Sequence, residues 1–208
     1  MALPELEQKH VKDVYEIIAS EFNDTRAYYW KKTSEFLDAI PPHSLALDVG
    51  CGNGRNMLRR RDVAFNGCDI TENFCKICAD KGLCVLVASA TDLPYRDNTY
   101  DYVVCSAVLP HLSTVERRQK AVDELVRVTK PGGQIFILVW AQEQTENKKR
   151  QFTEQDVMVS WTTKKQGVYN RFYHVFCKEE LEGLLQPNVK IIESFYDFGN
   201  WGVWVEKL

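Results

Sequence analysis

Three glycines at alternate positions, Gly50, Gly52 and Gly54, follow Asp48 and the apolar run Leu45 to Leu47. Glycine in that pattern lets the backbone take positive φ and lets a ligand lie against bare main chain, which any side chain would block. A second strand-like run, Val63 to Asp69, ends in an acidic residue 21 positions after Asp48. A carboxylate at that place accepts hydrogen bonds from both hydroxyls of a ribose and fixes the sugar over the glycine loop. Ser89-Ala90-Thr91-Asp92 then turns over the region where a base would lie, and a fourth run, Tyr100 to Ala107, leads to His111. The expected cofactor-binding set is therefore Asp48, Gly50, Gly52, Gly54, Asp69 with Ile70, Ser89, Ala90, Thr91, Asp92 and Ala107. Ligands of open α/β sheets bind beyond the carboxyl ends of the strands, so His111 lies where chemistry is expected.

The elements that must hold these residues alternate between strand and helix. Strands are expected over Leu45 to Leu47, Val63 to Asp69, Cys84 to Ala88, Tyr100 to Ala107 and Gln134 to Trp140. Helices are expected over Arg55 to Arg61, Thr71 to Lys81 and Val115 to Val128. Ahead of the glycines, residues 5 to 20 carry Leu6, Val11, Val14, Tyr15 and Ile18 at helical spacing, a helix able to cover the loop. Tyr28, Tyr29, Trp30, Phe36 and Leu37 form a second, aromatic helix stopped by Pro41-Pro42. Arg26 and Trp30 are four apart on one face of it, which suits either a packed helix or a lid carrying a cation toward the pocket. From Ala141 to about Asn170 the pattern fails and reads as a polar insertion or lid, with an apolar patch from Val157 to Trp161 that argues for docking. A short helix over Lys178 to Leu185 and a closing antiparallel hairpin, Lys190 to Phe198 and Trp201 to Lys207 about Gly199-Asn200, complete the chain.

A chain of 208 residues with 45% hydrophobic and 26% charged residues fits one α/β domain of a soluble intracellular protein, and no run is long enough to cross a bilayer. A net charge of -3 advertises no global nucleic-acid field, although basic clusters stand at Arg59 to Arg61, Lys148 to Arg150 and Lys164-Lys165. The seven cysteines sit mostly in apolar runs and read as reduced and structural, and Cys75 and Cys78 form a CxxC without a second pair, so no metal is expected.

The glycine loop discriminates between ligands. A dinucleotide site needs a third glycine in GxGxxG so that a helix start meets the pyrophosphate, and Arg55 occupies that position. A ligand without phosphates has no need of that helix terminus, and the closing hairpin departs from an all-parallel dinucleotide domain, so S-adenosylmethionine is favoured.

Asp-Val-Gly-Cys-Gly-Asn-Gly at 48 to 54, Gly-Cys-Asp at 67 to 69, Asp-Leu-Pro at 92 to 94, Tyr-Asp at 100 and 101, and Lys-Pro-Gly-Gly at 130 to 133 resemble the class I S-adenosylmethionine-dependent methyltransferases. Val-Tyr-Glu-Ile-Ile-Ala at 14 to 19, Asp-Thr-Arg at 24 to 26, Val-Trp-Ala-Gln-Glu-Gln at 139 to 144, Gln-Asp-Val-Met-Val-Ser-Trp at 155 to 161, Arg-Phe-Tyr-His-Val-Phe at 171 to 176 and Gly-Asn-Trp at 199 to 201 look more narrowly like the eukaryotic wobble-uridine tRNA methyltransferases. The same domain ends the AlkB-homologue tRNA hydroxylase. Three positions depart from that family's pattern: Ser89 stands for an acid, Pro110 for the first of two histidines, and Ser160 for a proline.

The resemblance implies a Rossmann-like α/β fold, a seven-stranded mostly parallel sheet with an antiparallel last strand and helices on both faces. It implies one methyltransferase domain, with a helical cap over 1–42, a cofactor core over 43–140, a substrate-side insertion or lid over 141–176, and a C-terminal helix and hairpin over 177–208. The implied reaction esterifies the carboxylate of 5-carboxymethyluridine at position 34 of a tRNA anticodon loop, and its candidate catalytic residues are Arg26, His111, Arg171, Tyr173 and His174, with Arg26 and Arg171 foremost. The implied partner is a small zinc-binding activator on the third-strand edge of the sheet, which suits the uncharged run Cys84 to Ala88. A cytoplasmic or nuclear location and no membrane attachment are expected. Two other readings share the fold: a methyltransferase acting on a small molecule or protein, and a non-catalytic relative.

Overall fold

In the computed structural model, residues 3–25, 30–145, 151–164 and 167–208 are described. Arg26, Tyr28, Tyr29, Lys148 to Arg150 and Lys165, named above, lie outside the described residues. A central sheet has the strand order β3-β2-β1-β4-β5-β9-β8, built from β1 (Leu45–Val49), β2 (Ala64–Asp69), β3 (Cys84–Val87), β4 (Tyr100–Ser106), β5 (Thr129–Trp140), β8 (Val189–Tyr196) and β9 (Asn200–Lys207). Strands β1 to β5 pair in parallel, and β9 runs antiparallel to both β5 and β8. This is the expected seven-stranded sheet.

Strand alternation divides the core between two faces. Val103, Cys105, Ile135 and Ile137 pack beneath α6 (Val115–Val128) through Val122 and Leu125. Val104, Phe136 and Leu138 point the other way, onto Phe36, Leu37 and Ile40 of α3 (Lys31–Ala39) and its end. The N-terminal helix runs through α1 (Glu5–Glu7), a π turn over Gln8–Lys12 and α2 (Asp13–Thr25), longer than the expected 5 to 20. Its apolar face, Val11, Val14, Tyr15 and Ile18, packs on Phe74 of α5 (Glu72–Asp80) and on Phe172.

Three expectations are corrected. Trp30, expected inside the second helix, has an extended backbone and stands just before α3. The stretch 141–170 is not patternless: β6 (Asp156–Thr163) and β7 (Gly167–His174) form an antiparallel hairpin outside the main sheet, in register from Asp156↔His174 to Thr163↔Gly167. Val157, Val159 and Trp161 turn inward while Met158, Ser160 and Thr162 stay exposed, so the run read as an apolar patch is a half-buried strand. The helix expected over Lys178 to Leu185 shrinks to turns and one 3-10 turn, Glu182–Leu184. Glu179 at φ 68 is left-handed, a conformation in which a right-handed helix cannot continue.

Candidate active site

The loop after β1 explains each glycine separately. Gly50 (φ 69) passes so close to Val108 that an added Cβ would lie 2.1 Å from Val108 Cγ2, and at Gly54 (φ 74) it would meet Leu83 and Cys78. At Gly52 (φ 53) a Cβ would meet nothing within 4 Å, because that position faces an open cavity. Gly50 and Gly52 line this cavity, and Gly54 starts α4 (Arg55–Arg59) behind it. Helix α4 is shorter than the expected run to Arg61.

Asp69, at the carboxyl end of β2, wires that strand to the loop. Its Oδ2 accepts the Gly52 N–H at 2.9 Å and its Oδ1 the Thr71 N–H at 2.9 Å. Burial raises its pKa while the two amides oppose the rise. Each carboxylate oxygen keeps a further lone pair, so the group can still accept from a ligand in the cavity that it lines beside Ile70.

Ser89, Ala90 and Ala107 also line the cavity. Thr91 and Asp92 do not: the Thr91 hydroxyl meets Ser89 Oγ at 2.9 Å, and Asp92 is exposed, its N–H bonded to the Ser89 carbonyl. Asp48 lies behind the loop, buried, with Oδ1 accepting from Asn56 Nδ2 at 3.4 Å and Oδ2 unpartnered. Desolvation pushes its carboxyl up to about 7.

The opposite wall carries the other candidates. His111 stands on the 3-10 turn Leu109–His111 after β4, beyond Ala107 at φ 59. Its Nδ1 lies 2.8 Å from the Phe172 carbonyl, which can only accept, so Nδ1 carries the proton. Desolvation, only partly offset by that bond, pushes the imidazole down to about 4, which leaves it neutral with a bare Nε2. Tyr15 Oη, 3.0 Å from Nε2, is the donor to it.

On β7, alternation sends Arg171 and Tyr173 the same way and His174 the other. The buried Arg171 donates to the hydroxyls of Tyr173 at 3.0 Å and Tyr15 at 3.3 Å, and its guanidinium centre lies 5.0 Å from the Trp161 ring centroid. Among the described residues no carboxylate pairs with it, and its Nε is buried without a partner. Arg171 does not itself line the cavity; Tyr15, Tyr173 and His111 do. Tyr173 stacks on Trp140 at 4.3 Å and 22°. His174 is elsewhere: its ring nitrogens meet Asp156 Oδ1 at 2.6 Å and Glu180 Oε1 at 2.7 Å, and it does not line the cavity.

Tyr15, Ser106 and Trp140 are among the cavity residues that escaped the sequence reading. Tyr15 was legible only as part of an apolar helix face, and the available signal was its hydroxyl, which needs a partner once buried. Ser106 Oγ is buried and unpartnered, a polar atom offered to a ligand. A bare-backbone cradle at Gly52, the Asp69 carboxylate and the Ser106 hydroxyl fit a phosphate-free nucleoside with an amino-acid tail, as S-adenosylmethionine has. Among the described residues no group of three or more His, Cys, Asp or Glu is arranged to hold a metal.

Residues 47–137 match the family described as "Methyltransferase domain". An Arabidopsis thaliana tRNA (carboxymethyluridine(34)-5-O)-methyltransferase is 50% identical over 143 residues, 69% of this chain and 35% of that protein. The Schizosaccharomyces pombe protein of the same name is 34% identical over 226 residues, 98% of each chain. The chain spans less than half the length of the first curated relatives it matches, and nearly all of the fission-yeast protein. Among solved structures, one titled as a complex between the Haloferax volcanii Trm112 methyltransferase activator and a methyltransferase is 15% identical, with TM-score 0.71 over 95% of this chain and 97% of that one, which supports the fold. With a third of its residues shared along the whole fission-yeast relative, the chain belongs to the tRNA (carboxymethyluridine(34)-5-O)-methyltransferase family.

Proposed function

We propose that this protein uses S-adenosylmethionine to esterify the carboxylate of 5-carboxymethyluridine at tRNA position 34, giving 5-methoxycarbonylmethyluridine. The observation that carries this reading is Arg171, a buried cation without a carboxylate partner among the described residues, whose hydrogen bonds end on the hydroxyls of two tyrosines that line the same cavity as Gly52 and Asp69. The named relatives support it.

When bound, S-adenosylmethionine supplies an electrophilic methyl group on a sulfonium. Gly52, Asp69 and Ser106 are the residues to hold it. A substrate carboxylate is ionised at neutral pH and is its own nucleophile, so no general base is required. The protein's task is placement, worth on the order of 7 kcal/mol in favourable cases. Tyr173 does this without draining the nucleophile: a phenol hydroxyl backed by Arg171 steers one carboxylate oxygen more gently than a guanidinium gripping both. Neutral His111 adds no competing positive charge. Arg26 remains a proposed second cation for the acceptor side.

Edge strand β3 leaves Leu86 48% and Val87 51% exposed, a surface suited to the proposed zinc-binding activator, and the Haloferax complex is consistent with such an assembly. Basic tRNA contacts are proposed for the clusters near 148–150 and 164–165; Arg59 and Arg60 are instead paired locally with Asp38 and Asp62. The seven free cysteines accord with the proposed cytoplasmic or nuclear setting, and among the described residues no helix is long and apolar enough to cross a membrane.

The test is transfer of a labelled methyl group to tRNA carrying 5-carboxymethyluridine against tRNA lacking the carboxymethyl group. Label should enter only the first, as an alkali-labile ester. Equal labelling of both would refute the carboxylate mechanism.

A further inference from the structure

The Tyr15 hydroxyl sits where three elements meet. It lies 3.0 Å from His111 Nε2 on the turn after β4, and 3.1 Å from the Tyr173 hydroxyl and 3.3 Å from Arg171 Nη1 on β7. A hydroxyl has one proton and two lone pairs, so three partners use its whole capacity. The Phe172 carbonyl fixes the proton of His111 on Nδ1, which obliges Tyr15 to donate to Nε2. Its oxygen is then purely an acceptor toward Arg171 and Tyr173. The donors thus run in one direction: Tyr173 to Tyr15 to His111, with Arg171 donating to both phenols.

Tyr173 lines the cavity and its hydroxyl donates at rest to the Tyr15 oxygen; an ionised carboxylate entering the cavity is the stronger acceptor. A neutral acceptor gains no such advantage. We propose that Tyr15 is a positioning residue of the acceptor site, which orders the Tyr173 and Arg171 donors for an anionic substrate group by giving its own proton to His111. This inference rests on the carboxylate reading above and deepens it.

The ring contributions separate from the hydroxyl. Tyr15 meets His111 edge-on at 5.1 Å and Phe22 at 5.6 Å, contacts that phenylalanine retains. In Tyr15→Phe, Arg171 keeps one of its two hydroxyl acceptors, Tyr173 loses its resting acceptor, and His111 Nε2 loses a bond that favours the neutral ring. The titratable and charged groups facing His111 are Tyr15 from α2 and Tyr173 and Arg171 from β7. Removing the donor therefore makes the imidazole easier to protonate, although the Arg171 charge still opposes this.

The experiment compares wild type with Tyr15→Phe in full-length protein. Turnover on carboxymethylated tRNA should fall about tenfold, since small displacements of a placing group cost that much or more. The KM for tRNA and the affinity for S-adenosylhomocysteine should stay within about twofold, and the acid limb of kcat should move to higher pH. Nitrogen-15 NMR of His111, which needs no substrate, should show its titration moving up from about pH 4 in wild type. Unchanged turnover, or a loss of turnover and melting temperature with no shift in the His111 titration, would overturn the proposal. A wild-type protein that fails to label the carboxymethylated tRNA would instead defeat the functional reading, and the NMR titration would still decide the hydrogen-bond assignment.

Discussion

Replacing Arg171 by methionine separates a group held for the fold from one held for a substrate. The side chain is 3% exposed, donates to two hydroxyls, and lies 5.0, 5.3 and 5.8 Å from the ring centroids of Trp161, Tyr173 and Tyr15. Hydrogen bonds from a charged donor contribute about 1.5–3 kcal/mol each, and the ring contacts about 0.5–1 kcal/mol each. Against this, desolvating the guanidinium costs several kcal/mol, and the unpartnered Nε costs about 1–3 kcal/mol more. The two sides are of comparable size, and methionine restores apolar contact in the same volume. Urea denaturation of Arg171→Met without ligand should therefore give a stability within about 2 kcal/mol of wild type, with cofactor affinity unchanged. Turnover on carboxymethylated tRNA should fall by about 100-fold or more, corresponding to about 3 kcal/mol of lost placement. A ligand-free stability loss above about 4 kcal/mol would mean that the cation serves the core, and the reasoning would fail.

Three other outcomes follow from the same geometry. His111 in the unfolded chain binds a proton near 6.5, whereas the folded ring resists until about 4, so stability of up to about 3 kcal/mol present above pH 6.5 is lost as pH falls through that window. Asp48 acts in the opposite sense, holding its proton to about 7 when folded against 3.8 when unfolded, so its contribution is lost as pH rises. Stability of Asp48→Asn should consequently climb more steeply than wild type between pH 4 and 6.5, and parallel slopes in urea titrations would contradict the burial argument. Asp69→Asn retains one acceptor but turns an N–H toward a backbone N–H, which should lower the melting temperature and weaken S-adenosylhomocysteine by about 100-fold in calorimetry; normal binding would disprove its role as a ligand. A glutamate at Leu86 should leave the isolated protein's melting temperature within about 2 °C of wild type and abolish co-purification with a zinc-binding activator, since the side chain is half exposed; retained co-purification would place the partner elsewhere.

The donor side of the cavity was legible because its chemistry is local in sequence. Gly50, Gly52 and Asp69 occupy a strand end, a loop and a neighbouring strand end, so β-α alternation alone puts them together. Gly54 shows the limit of motif reading: the same repeat that opens a cradle at Gly52 serves Leu83 and Cys78 packing two residues later. Asp92 fails because the turn closed by its N–H on the Ser89 carbonyl leaves its side chain at the surface.

The acceptor side resisted because it is assembled across separations that no period encodes. Tyr15 and Tyr173 are 158 positions apart, and they meet because the N-terminal helix packs its apolar face against β7. That hairpin was hidden in the sequence: Val157, Val159 and Trp161 alternate with Met158 and Ser160 among so many polar residues that strand periodicity reads as a broken patch. Once the hairpin exists, alternation decides which of its three candidates serves the site, sending Tyr173 to the cavity wall with Arg171 behind it on the same face, and His174 to Asp156 and Glu180. The segment read as a lid is therefore half of the acceptor wall, and the N-terminal helix read as a cover supplies the hydroxyl that orders it. The proposed acceptor chemistry depends on two elements outside the sheet docking on each other, which is why Tyr15→Phe, although Tyr15 lines the same cavity as Gly50 and Gly52, should act on turnover rather than on the cofactor.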